Sequence, residues 1–134
     1  MKRILFATSE AVPFIKTGGL ADVAGSLPKC FDKRYFDIRV ILPKYACMKQ
    51  EWKDKMEYVT HFYMDLGYKN CYVGILQMEY DGIKFYFIDN EYYFSGPKPY
   101  DSAPCDLEKF AFFPKAVLSV LPVIDFRPAI IHCH

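Results

Sequence analysis

The segment KTGGLADVAG, residues 16–25, sets a lysine two positions ahead of a glycine doublet, between an apolar run and a helical pattern. A helix start offers N–H groups without intrahelical partners and about half a positive charge. Glycine removes the Cβ that would keep a ligand off that backbone. Lys16 adds a full charge, so Lys16, Gly18 and Gly19 could hold a phosphate or phosphosugar. The same residues also suit a plain turn in which the glycines supply positive φ. Local physics leaves the two readings balanced. Gly18, Gly19 and Gly25 lack the GxGxxG spacing of a dinucleotide site, and no GxxxxGK[ST] occurs.

Other groups could contribute polar chemistry. Glu10 follows the apolar run, where a carboxylate is expected to face a cleft as a hydroxyl ligand. Asp22 falls in the first turn of the expected helix, where capping is favoured and a sugar hydroxyl is a second possible partner. His132 and His134 alternate on the last strand and so share a face. They are expected to hydrogen-bond at a ligand site; a His-x-His pair can bind zinc, but no third ligand is evident. The aromatic segment from Tyr92 to Tyr100 could stack on sugar rings or cover neighbouring strands.

The elements positioning these groups follow from periodicity. Ile4–Thr8 reads as a buried strand and Phe36–Leu42 as a second, parallel to it. Between them Leu20, Val23, Ala24, Leu27 and Phe31 mark one face of a helix reaching about Asp32, with Pro28 expected to bend it. A loop with a short helix is expected over 44–58. Tyr72–Tyr80 and Ile83–Ile88 flank Asp81-Gly82 as a type I′ hairpin, with Thr60–Leu66 adding a strand beside it. Residues 90–105 read as a long surface loop. A second helix over Leu107–Leu121, kinked at Pro114, is expected to place Leu107, Phe110, Ala111, Pro114, Val117, Leu118 and Leu121 on one face. PAIIHCH reads as a buried parallel strand reaching its carboxyl end, where open α/β sheets bind ligands, so a longer parent chain is expected.

Bulk properties narrow the function classes. The 134 residues suffice for one domain with its own core. Seventeen Lys and Arg stand against sixteen Asp and Glu, for a net charge of +1. No run of like charge suggests nucleic acid or a membrane surface. The N-terminal apolar run is broken by Thr8, Ser9 and Glu10, too early for the ~7–15 residues of a secretory h-region. Five cysteines without a CxxC pair suggest reduced thiols and a cytoplasmic protein.

Four blocks in order, SEAVPFIKTGGLADVAGSLPK, VILPKY, DLEKFAFFPKAVL and AIIHCH, resemble the N-terminal domain of bacterial glycogen synthases and plant starch synthases. KTGGLADV is the specific part. The resemblance implies an α/β fold with a mainly parallel sheet flanked by helices and a β-hairpin: the Rossmann-like N-terminal domain of a GT-B glycosyltransferase, here residues 1–134. A second, nucleotide-holding domain would complete the cleft. The implied reaction moves glucose from ADP-glucose, or UDP-glucose, to the 4-hydroxyl at the non-reducing end of an α-1,4-glucan, with retention and without metal or cofactor.

The family lysine that meets the sugar-nucleotide phosphates corresponds to Lys16, and its glycine pair to Gly18 and Gly19. Glu10, Asp22, Tyr100, His132 and His134 match further family positions as sugar or acceptor candidates. The aspartate of the family's HxHD pattern would follow His134. No set of catalytic residues is complete within the sequence, and the fragment alone is expected to be inactive. The rival expectation is a non-catalytic sugar- or nucleotide-binding α/β module.

Overall fold

The computed structural model describes residues 1–100 and 103–134. Among these, six strands form one sheet: β1 (Lys2–Ala7), β2 (Phe36–Pro43), β3 (Glu57–Leu66), β4 (Lys69–Tyr80), β5 (Ile83–Asp89) and β6 (Ile130–Cys133). Their spatial order is β3-β4-β5-β2-β1-β6. β1 has parallel neighbours on both sides, with Phe6 opposite Val40 on β2 and His132 on β6. A strand paired twice and covered on both faces needs apolar side chains in both directions. Accordingly Ile4, Leu5 and Phe6 are all buried. β5 continues the parallel part beside β2, and β4 and β3 follow antiparallel.

The hairpin forms as expected. Asp81 and Gly82 have φ of 55° and 79°, the left-handed pair that a type I′ turn requires. β6 differs from its expected burial, since it pairs only with β1 and leaves Ile130 46% exposed. Its apolar composition therefore lies at the rim of the core.

The helices are α1 (Gly19–Ser26), α2 (Gln50–Lys53), α3 (Glu91–Phe94) and α4 (Ala103–Val120). The expected bent helix to Asp32 is instead α1 followed by a 3₁₀ turn at Leu27–Cys30. Pro28 has no N–H for the Ala24 carbonyl, so the α-helical ladder cannot pass it and the chain tightens. Gly25 brings α1 close to the preceding turn, because a Cβ there would lie 2.4 Å from Val12 Cγ2. Val12 N–H also donates to the Ala21 carbonyl at 3.0 Å, tying that turn to the helix.

The expected long loop is partly structured: α3 buries Tyr93 and Phe94, and α4 begins at Ala103, before Leu107. Positions 101 and 102 of that loop lie outside the described residues. α4 also turns a different face inward from the one expected. Phe112, Phe113, Ala116, Val117 and Val120 are buried, whereas Leu107 and Leu118 are 77% and 60% exposed. Phe110, Phe112 and Phe113 let two helical registers look equally apolar. The register that prevails buries two phenylalanines, one of which stacks on Tyr93 at 4.7 Å.

Candidate functional site

β1 ends at Ala7, and the chain then makes a tight excursion through residues 8–18 before entering α1. This places the first turn of α1 beyond the carboxyl end of a central strand, where open α/β sheets bind ligands. Neither glycine of the doublet has positive φ, and Gly18 is extended at φ −165°. A Cβ built on Gly18 or Gly19 would also meet nothing within 4 Å. Backbone conformation and internal packing therefore do not account for either glycine. Their missing side chains leave the helix entrance open from outside.

Glu10 overturns its expected placement. It is only 1% exposed, so its carboxylate faces no cleft. One oxygen accepts the Gly18 and Ala21 N–H groups at 3.2 Å each, and the other accepts the Thr17 hydroxyl. It fastens the start of α1 from behind and leaves the Gly19 and Leu20 N–H groups as those of the first turn that it does not take. Asp22 consequently does not cap the helix as expected. Its carboxylate instead holds the Lys16 ammonium at 2.9–3.0 Å. Both side chains of that pair are more than half exposed, so the bond contributes little and Lys16 can be released to an incoming anion.

Tyr100 closes the site from a second segment. Its hydroxyl lies 2.6 Å from Ser9 Oγ, and burial pushes its pKa up, keeping the hydroxyl protonated. Tyr45 supports the same strand end by donating to the Ser9 carbonyl at 2.7 Å. His132 and His134 do share a face. Their rings stand 4.5 Å apart, and both lie against Phe6. Burial and the neighbouring His132 lower the pKa of His134, which favours a neutral, hydrogen-bonding imidazole. A small cavity of about 300 Å³ lies between Ser9, Tyr100 and His134, so the strand end, the aromatic segment and the histidines meet.

Lys16 and Thr17 share a cavity lining with Tyr100, and Glu10 and Asp22 support the helix start and Lys16 respectively. Ser9, Thr17 and Tyr45 join them without having been singled out in the sequence. Thr17 sits inside the KTGG block, and its hydroxyl next to a helix start was the available signal. Among the described residues no His, Cys, Asp and Glu side chains assemble into a group of three able to hold a metal ion.

The sequence matches the starch synthase catalytic domain over residues 3–134. The chain belongs to the starch synthase catalytic domain family. A glycogen synthase of Lachnospira eligens is 63% identical over 134 residues, all of this chain and 28% of that protein. A glycogen synthase of Desulforamulus reducens is 54% identical over 98% of this chain and 27% of its own length. The catalytic domain of starch synthase IV from Arabidopsis thaliana, solved with ADP and acarbose bound, superposes with a TM-score of 0.86. It is 27% identical over 99% of this chain and 28% of that one. The chain therefore spans a little over a quarter of the length of these relatives. Its mixed, mostly parallel sheet flanked by helices is the starch synthase domain fold.

The open glycine entrance gives this member of the starch synthase family a sharp test. Gly19→Ala is expected to leave stability unchanged or raise it slightly, since alanine is the better helix former and has room. The added methyl stands where an anion would approach, so affinity for a phosphate-bearing ligand such as ADP should fall about tenfold or more in the complete protein. Urea unfolding together with calorimetric titration with ADP separates the two effects.

Proposed function

We propose that the chain is the loop-bearing N-terminal domain of a retaining glucosyltransferase. The complete protein would transfer glucose from ADP-glucose to the non-reducing 4-hydroxyl of an α-1,4-glucan, in the cytoplasm, as a step of glycogen formation. The observation that carries this reading is the helix entrance at Gly18 and Gly19: bare without backbone or packing cause, and flanked by a loosely held lysine. The relatives named as glycogen synthases, and the starch synthase holding ADP and acarbose, support a nucleotide sugar and a glucan as its ligands.

In the reaction the bond between the glucosyl C1 and the diphosphate breaks, and one forms from C1 to the acceptor O4. The acceptor proton and the nucleoside diphosphate leave. Negative charge grows on the departing phosphate. The Lys16 ammonium and the free N–H groups of the α1 start suit that charge better than they suit the intact donor. Glu10 keeps these donors preorganised without reaching the substrate. Tyr100, His132 and His134 stand on the adjoining side, available to sugar hydroxyls, and a second domain of the same polypeptide would supply the opposite wall.

The test is glucose transfer to glycogen by the complete protein, with ADP-glucose and UDP-glucose compared at equal concentration. Incorporation from ADP-glucose several-fold faster than from UDP-glucose is expected. Failure of both donors would overturn the reading.

A further inference from the structure

A second cavity opens on the Lys16 side of Tyr100. It measures about 380 Å³, and its lining includes Lys16 and Thr17 from the loop before α1 and Pro97, Lys98 and Tyr100 from the segment before α4. Among the described residues its lining contains two lysines and no carboxylate. The partners of the two differ: Lys16 is held by Asp22, whereas Lys98 makes no ion pair among the described residues.

Lys98 is also held on a fixed support. Proline precedes and follows it, restricting φ at both neighbours. The Pro99 carbonyl accepts from the ammonium of Lys109, a lysine only 4% exposed, at 2.9 Å. One residue later, Tyr100 is bonded to Ser9. Lys109 is also paired with Asp106 at 3.5 Å, and its bond to the Pro99 carbonyl ties the segment that carries Lys98 to α4.

We infer that Lys98 is a second cation for the diphosphate of the donor, facing Lys16 across this cavity. The inference rests on the nucleotide-sugar reading of the site and adds a residue to it. A diphosphate carries charge on both phosphates, and one lysine at the helix entrance matches only one of them. Because Lys98 is exposed, it acts on capture of the donor, with little added grip as the bond breaks. It is a binding residue for the donor, and its loss should appear in KM and leave kcat nearly alone.

The experiment uses the complete protein with saturating glycogen and measures KM and kcat for ADP-glucose, alongside calorimetric titration with ADP. Lys98→Ala should raise KM and the ADP dissociation constant about fivefold with kcat within about twofold. Lys98→Glu should raise both further, Lys98→Arg should restore them, and the salt dependence of ADP binding should weaken in Lys98→Ala. Unchanged KM and ADP affinity in both Lys98→Ala and Lys98→Glu would overturn the inference while wild-type transfer left the functional reading standing. If the wild type bound ADP but transferred no glucose, the reaction would be misread. The ADP titrations would still decide the role of Lys98.

Discussion

Lys16→Ala in the complete protein is expected to lower kcat for glucose transfer by about 10²–10³ at saturating donor, the usual cost of removing one preorganised donor to developing charge. Folding should be unaffected. The Lys16 side chain is 54% exposed and its one ion pair among the described residues, to Asp22, is similarly exposed, so little stability depends on it. This separation of effects distinguishes a role in the transition state from a structural one. Lys16→Arg keeps the charge but spreads it over a larger planar group, and partial recovery is expected. Near-normal kcat for Lys16→Ala at saturating ADP-glucose, with the fold intact, would remove the lysine from the chemistry.

Glu10→Ala should act in the opposite order, on structure first. The change removes the buried carboxylate that accepts from the Gly18 and Ala21 N–H groups and the Thr17 hydroxyl, leaving the Ala21 N–H with only the Gly18 carbonyl at 3.3 Å. It also removes a negative charge from the positive end of α1. A loss of about 2–4 kcal/mol is expected, visible in urea unfolding. Activity should fall with it, because the loop that presents Lys16 and Gly19 loses its anchor. Glu10→Gln keeps an oxygen for the two N–H groups and should recover most of the stability. Its effect on donor binding separates two roles. A residue that touches a sugar hydroxyl would be impaired by the amide, whereas an anchor behind the helix start leaves a less negative entrance that binds the diphosphate at least as well. A Glu10→Gln protein of wild-type stability but several-fold weaker ADP-glucose binding would restore Glu10 to the ligand.

The parts of the fold that were legible in the sequence are those where one kind of periodicity stood alone. β1 reads as a short continuous apolar run because it is paired on both sides, and the Asp81-Gly82 turn states its own conformation. α4 was misread because three phenylalanines within four positions satisfy two helical faces, and only packing against Tyr93 and Phe94 decides between them. The burial of Lys109 was not legible, since an i,i+3 pair with Asp106 suits an exposed helix face equally well and its other partner is a backbone carbonyl ten positions away.

In the site, Lys16, Gly18 and Gly19 were legible from residue type and spacing. The doublet's alternative role as a positive-φ turn disappeared once its dihedral angles were known. Glu10, expected at a ligand, instead caps the helix start, and Asp22, expected to cap it, pairs with Lys16. Which of two carboxylates caps a helix depends on the path of the intervening turn, and sequence separation misleads there. Glu10 lies eleven residues from Ala21 and bonds it; Asp22 sits in the first turn and turns away to Lys16. Ser9 escaped notice because its partner Tyr100, 91 positions away, is brought close only by the fold.

The central claim is that the entrance to α1 receives the donor's phosphates. Its most direct measurement is a structure of the complete protein with ADP-glucose bound. The account predicts a phosphate oxygen within hydrogen-bond distance, about 2.7–3.2 Å, of Lys16 Nζ and of the Gly19 backbone N–H, with Glu10 still holding Gly18 and Ala21. A bound diphosphate that leaves this loop empty and the Lys16–Asp22 pair unbroken would contradict it.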